Sequence, residues 1–393
     1  MNTQLINLTN YYVPNKRIAQ TELSLIRSII ETQHTGEYSR VSLGLGELQF
    51  PMPKKARAAN QKAINEGKTN YTPNAGLVEL RDAIADRFSQ QFDIQTTRDN
   101  VIITSGSTGG LYIAFETMLN PGDEVLIPAL QYPLYKTLPE KWGAHVIEYA
   151  LMEDFDIDVD DLLSKITART KLIVINSPSN PTGQVVSLSA LMKIVKRTID
   201  HLSLFFLSDE IYATCLFEGA THHSISSLSE RTIVVNGLSK QASQAGKRIG
   251  WIIGPDFFIT DALKSQQATY VCAPIDSQYA ALPVLKRECD KELALYHKHL
   301  DKRRKLMGSL LQEISGLHFH VSHGAFYYFV DVSAFGDGMT VAKKLIETVN
   351  VVTIPGIAFG RAGKNFIRLS YAASEEEIRE GLQRMKGVFA SWR

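Results

Sequence analysis

Short unbroken runs of apolar residues, each bounded by turn formers, recur between residues 101 and 254. They are VIIT at 101–104, EVLIP at 124–128, HVIEY at 145–149, KLIVIN at 171–176, LFFLSD at 204–209, TIVVNG at 232–237 and WIIG at 251–254. A run without polar alternation predicts a strand buried on both faces, as in a parallel sheet. Helical patterns lie between several of them. In GLVELRDAIADRF, Leu77, Leu80, Ile84 and Phe88 fall at steps of three and four, which makes one apolar stripe. Strands alternating with helices predict an α/β domain with a mostly parallel sheet flanked by helices.

The texture changes after about residue 285. A long, charged, helical stretch follows (RECDKELALYHKHLDKRRKLMGSLLQEI). The alternating stretches HFHV and AFYYFVDV come next, then a final helix from about Ser374 to Trp392. This pattern predicts a smaller α+β domain completed by the N-terminal segment. The expected division is a large domain over 46–285 and a small domain made of 1–45 with 286–393.

Composition narrows the function classes. Of 393 residues, 44% are apolar and 21% charged, which is ordinary for a globular protein. The formal net charge of +1 gives no overall basic surplus for nucleic acid or an acidic membrane surface. Cys215, Cys272 and Cys289 are far apart with no CxxC pair, so neither a zinc site nor a redox pair is expected. The start MNTQLINLTN lacks a basic stretch followed by an apolar run. No apolar stretch reaches the length of a membrane span. A cytoplasmic protein without a bound metal is the expectation.

Four segments carry candidate chemistry. Lys240 lies in NGLSKQASQAGKRIGW, and a lysine whose pKa is lowered by its site becomes a Schiff-base nucleophile. Alone it reads far more readily as a surface lysine at a helix start. Arg248 follows in a glycine-containing loop, where a guanidinium fork suits phosphate. SDEIY at 208–212 ends a buried run, where α/β ligand sites form, so Asp209 or Glu210 can meet a cationic group. NSPSNPTG at 176–183 is turn-rich, aims Asn180 toward a cleft and is expected to hold a cis bond before Pro181. SGSTGG at 105–110 links a strand to an apolar helix, which places backbone N–H groups at a helix N-terminus as a phosphate cradle. It is neither GxGxxG nor a Walker loop.

These segments, with YTPNAGLVELR before them and NFIRLSYA after, resemble in order and spacing the fold-type I pyridoxal-phosphate enzymes, and among them the class I/II aminotransferases related to aspartate aminotransferase. The resemblance runs from about Gly44 to Ala372. It implies pyridoxal 5'-phosphate bound as a Schiff base on Lys240, which also moves the proton. It implies Asp209 at the pyridine nitrogen, Asn180 and Tyr212 at the ring 3-oxygen, and Tyr132 stacked on the ring. Gly106, Ser107, Thr108 and Arg248 are implied as phosphate holders. Tyr71 is implied to reach the phosphate of a neighbouring subunit, hence a homodimer with shared sites. Arg368 and Gly46 are implied at the substrate α-carboxylate, a natural bidentate partner for arginine.

The implied activity is ping-pong transamination between an L-amino acid and a 2-oxo acid. Elimination, decarboxylation or oxidation on the same scaffold is the alternative, because fold does not fix reaction. A ligand-sensing domain of a transcription regulator is the remote one; it asks for a DNA-binding module that this sequence does not suggest. Two departures bear on specificity and on the phosphate site. Gly46-Glu47-Leu48-Gln49-Phe50 stands where the family often has a GxPDF-like stretch, and Gly237 stands where serine is usual, with Ser239 as a possible substitute. Lys247 adds a charge beside Arg248. Tyr11, Tyr12, Phe50 and Phe326 are candidates for a pocket that takes a bulky apolar side chain, or for core.

Overall fold

The computed structural model describes residues 12–19, 21, 23–32 and 36–392; Tyr11 lies outside them. In chain order the strands are β1 (Val41–Ser42), β2 (Val101–Ser105), β3 (Glu124–Pro128), β4 (His145–Tyr149), β5 (Thr170–Asn176), β6 (Phe205–Asp209), β7 (Thr232–Gly237), β8 (Ile249–Ile253), β9 (His318–Phe319), β10 (Tyr327–Asp331), β11 (Val351–Val352), β12 (Ile354–Pro355) and β13 (Phe366–Ser370). Each apolar run between 101 and 254 is a strand.

Seven of them form one sheet in the order β2-β8-β7-β6-β5-β3-β4. All its pairings are parallel except those of β8, which runs antiparallel to both β2 and β7. The unbroken runs follow from burial on both faces. In β5, Leu172 and Val174 join one apolar cluster while Ile173 and Ile175 join another. Strand geometry sends alternate side chains to opposite faces, and helices cover both. β4 departs from the expectation. It is the edge strand, and only Tyr149 in it is buried.

The predicted amphipathic helix spans Val78–Phe92, with Leu80, Ile84 and Phe88 buried and Leu77 at its N-cap. The helix Gly106–Met118 leaves the end of β2, and its Leu111, Ile113 and Phe115 pack in the same cluster as Ile252 of β8 and Val235 of β7.

The C-terminal part holds a four-stranded antiparallel sheet in the order β12-β13-β10-β9. β1 pairs in parallel with β11, Val41 opposite Val351, so the N-terminal segment is tied to this part of the chain. The charged stretch is the helix Asp290–Gln312. The last helix is Glu375–Ala390, started by a capping box of Ser374 and Glu377. AFYYFVDV reads as alternating, yet residues 325–330 are all buried. The helix Gly338–Val349 and the N-terminal helix Leu25–Glu31 supply Ile346 and Ile29 to the cluster holding Phe329, so β10 is covered on that face as well. Among the described residues no helix is long and apolar enough to cross a membrane.

Phe206 in β6 is fully buried. Phe206→Ala should lower the unfolding free energy by about 3–5 kcal/mol. Denaturant titration measures it, and a loss under about 1 kcal/mol would contradict the packing described.

Candidate active site

The carboxyl ends of β5 and β6 lie side by side, with Asn176 in register with Asp209. Open α/β sheets place ligand sites at that edge. Here a cavity of about 640 Å³ opens. Ten sequence candidates line it: Gly46, Ser107, Thr108, Tyr132, Asn180, Asp209, Tyr212, Lys240, Arg248 and Arg368. Gly106 adjoins it. Tyr71 does not reach it; its side chain stands 82% exposed in the loop before the helix Val78–Phe92.

Asp209 is buried at the end of β6. The Tyr135 hydroxyl donates to its Oδ2 (2.7 Å), and the backbone N–H of Ile211 donates to Oδ1 (3.1 Å). No ion pair to Asp209 occurs among the described residues. Burial therefore pushes its carboxyl up to about 6, against the pull of those two hydrogen bonds; Glu210 adds to the rise and Lys240 opposes it. Asn176 steadies the strand end, donating to the Asp209 carbonyl (3.0 Å) and accepting from the Asn180 backbone N–H (2.9 Å). The Asn180–Pro181 bond is cis, as expected, and so is Ser177–Pro178.

Lys240 Nζ donates to the Gly46 carbonyl (2.5 Å). Desolvation is the main cause that brings this amine down to about 8; Arg368 and Arg248 push the same way and Glu47 resists. Arg368, on β13, is fully enclosed. Its Nη1 donates to Asn180 Oδ1 (2.7 Å) and its Nη2 to the Gly44 carbonyl (2.8 Å), while Nε has no partner among the described residues. The guanidinium lies over the Tyr327 ring at 4.2 Å. All these partners are neutral, so the charge is uncompensated and available to an anion.

At the opposite end the backbones crowd. A Cβ on Gly250 would meet the Gly106 carbonyl carbon and the Ser107 nitrogen, both at 2.5 Å. Gly106 has φ +71°, and a Cβ there would meet Arg248 Nη2 at 2.5 Å. The glycines thus let β8 approach the start of the helix Gly106–Met118 with Arg248 beside it. An anion cradle results, built from helix N-terminal N–H groups and a guanidinium. Gly237 has no room for a side chain, since its Cβ would lie 2.9 Å from the Ile249 carbonyl. Ser239 lines the cavity. Lys247 turns away to Asp276 (2.9 Å).

Several lining residues carry no motif. Tyr135 lies three positions after Tyr132 in PALQYPLY, one helical step on. Tyr327 meets the Tyr212 hydroxyl at 2.8 Å. Ile26, Arg27 and Ile30 come from the N-terminal helix. Of the aromatic residues that read as pocket or core, the three described ones, Tyr12, Phe50 and Phe326, do not line the cavity. Phe326 is wholly buried beside Tyr212 and Tyr327. Phe50 stacks on Tyr296 at 4.7 Å, under Arg303. Tyr12 is exposed. Of the Gly46–Phe50 stretch, only Gly46 and Glu47 face the cavity; Leu48 and Phe50 pack toward the helix Asp290–Gln312. No group of His, Cys, Asp and Glu among the described residues could hold a metal.

This geometry agrees with the comparisons to known proteins. Residues 39–385 match the family described as aminotransferase class I and II, and the chain belongs to that family. It is 36% identical to a probable aspartate aminotransferase of Methanocaldococcus jannaschii over 89% of this chain and 93% of that one. An aspartate aminotransferase of Pyrococcus horikoshii is 35% identical, over 95% and 97%. The solved aspartate aminotransferase of Thermus thermophilus with maleate superposes with a TM-score of 0.91 at 30% identity, over 96% of this chain and all of that one. The protein is an aminotransferase with the α/β architecture of its family.

The raised carboxyl of Asp209 has a sign that can be tested. Folded, it holds its proton to about pH 6; unfolded, only to its ordinary value of 3.8. Between those values the folded state binds more protons, so stability falls as pH rises, and the cost is full above about pH 6. Asp209→Asn should therefore make the ligand-free protein more stable at pH 7.5, by about 1–2 kcal/mol. The advantage should vanish by pH 4. Denaturant unfolding at the two pH values measures it, and a variant equally destabilised at both would refute the assignment.

Proposed function

We propose that the cavity holds pyridoxal 5'-phosphate, and that the chain moves an amino group between an L-amino acid and a 2-oxo acid by a ping-pong route. The observation that carries this reading is the meeting of three groups in one cavity: an amine brought down to about 8, a buried carboxylate without a cation, and an arginine without a carboxylate. The donor set fits the cofactor at both ends. The cradle at Gly106 and Arg248 suits a phosphate, and Asp209 suits a protonated ring nitrogen.

When bound, pyridoxal phosphate supplies an electron sink for the pair released as a bond to the substrate Cα breaks. The rest is work for the chain's own residues. Ser107, Thr108, Ser239 and Arg248 hold the phosphate with the backbone at Gly106. Tyr132 would pack against the ring, and Asn180 and Tyr212 would hold its 3-oxygen. Arg368, assisted by the Gly46 backbone, grips the substrate α-carboxylate and fixes which bond at Cα stands in line for cleavage. Lys240 is the linking amine. With a pKa near 8 it is partly neutral at working pH, so its Nζ can take a proton from Cα and return it nearby. The exposed Tyr71 is read as serving the partner subunit's phosphate in a homodimer with shared sites. Ile26, Arg27 and Ile30 line the same cavity and are the candidates for contact with the amino-acid side chain.

The test is a half-reaction. Protein loaded with pyridoxal phosphate is given one amino acid at a time, without an acceptor. One equivalent of 2-oxo acid per site should appear, with no ammonia and no oxygen uptake. Continued turnover with ammonia would mark a lyase, and oxygen uptake an oxidase; either would overturn the proposal.

A further inference from the structure

Behind Asp209 lies a second carboxylate for which the reaction has no use. Glu210 follows it directly, and its side chain is also buried. Its Oε1 accepts from the hydroxyls of Ser208 (2.9 Å) and Ser224 (2.5 Å). Its Oε2 lies 3.3 Å from His222 Nε2, and both side chains are 1% exposed. That approach is within ion-pair distance but is not aligned as a hydrogen bond, so neither atom has a hydrogen-bond partner among the described residues. His222 Nδ1 likewise has none, and the ring edge rests on Phe92. A directed hydrogen bond therefore does not hold the imidazole to the acid; charge can.

Two successive buried anions repel each other strongly in a low-dielectric interior, and one then takes up a proton. If that one were Asp209, it could no longer face a cationic ring as an anion. We propose that Glu210 and His222 form a buried ion pair that neutralises the second carboxylate at the end of β6, leaving Asp209 as the ionised acid turned to the cavity. The inference rests on reading Asp209 as the partner of a cofactor ring nitrogen. His222 is then a positioning residue: it touches neither substrate nor cofactor and acts through Asp209.

The other groups bearing on this charge balance are few. Tyr135, from the helix Leu134–Lys141, donates to Asp209, and Lys240 and the phenols of Tyr132 and Tyr212 act on the cavity side. On the far side, Arg87 of the helix Val78–Phe92 borders the same small cavity as Glu210, but its Nη1 is directed to the Val284 carbonyl (3.1 Å).

Two conservative variants separate a charge role from a packing role. His222→Gln keeps a polar side chain and removes the positive charge. Glu210→Gln keeps the shape and removes the negative one. The readout is the titration of Asp209 in ligand-free protein labelled at the aspartate carboxyl carbon, followed by NMR, with its signal assigned by loss in Asp209→Asn. The wild-type midpoint should lie near the value of about 6 given above. His222→Gln should raise it by about one pH unit and Glu210→Gln should lower it by about as much. The double variant should return close to wild type. Affinity for pyridoxal phosphate, measured alongside, should fall in His222→Gln. Midpoints that stay put, or move in the same direction in both single variants, would overturn the ion pair. A wild-type protein that binds no pyridoxal phosphate would instead remove the cofactor reading, with the titration still able to judge the pair on its own.

Discussion

A carboxylate buried without a cation dominates the energetics of this site. Asp209 sits at the end of a central strand, held by one phenol and one backbone N–H. Such a group raises the free energy of the folded chain until something positive arrives. The surrounding structure is arranged to keep it there. Asn176 pins its carbonyl from the neighbouring strand, and Tyr135 fixes one oxygen from a helix packed on the sheet. Stability forgone at this point is what a cationic ligand recovers on binding.

The same logic governs the two other charged groups. Arg368 and Lys240 approach from different elements, and each is enclosed with neutral hydrogen-bond partners only. Two cations and one anion, each desolvated and mutually unpaired, polarise the cavity. Glycine makes the last part of the arrangement possible. At Gly106 and Gly250 the chain gives up side chains so that β8 can press against a helix start. An alanine at Gly250 would force the two backbones apart and open the cradle.

Much of this was legible in the amino-acid pattern. Strands buried on both faces have no polar alternation, so the runs around Ile173 and Phe206 declared themselves. Direction did not, because an apolar run reads the same for β8, antiparallel, as for β7, parallel. The AFYYFVDV stretch misled by its apparent alternation, since whether a second face is covered depends on distant helices. The residues lining the cavity were legible as an ordered set of motifs, not singly. Tyr135 and Tyr327 escaped because packing alone brings them in. Phe326 was a poor pocket candidate for a simple reason: it precedes Tyr327, adjacent strand side chains face opposite ways, and here the tyrosine takes the cavity. Leu48 and Phe50, in the stretch that departs from the family pattern, serve packing against a helix. That departure therefore touches the cavity through Glu47 alone among its altered neighbours.

Lys240 is the amine proposed to carry pyridoxal phosphate. Borohydride reduction of protein incubated with pyridoxal phosphate, followed by peptide mass analysis, addresses it directly. One adduct per chain is expected on the peptide containing Lys240, absent in Lys240→Ala. An adduct on a different lysine, or amino transfer that persists with no adduct at all, would contradict it.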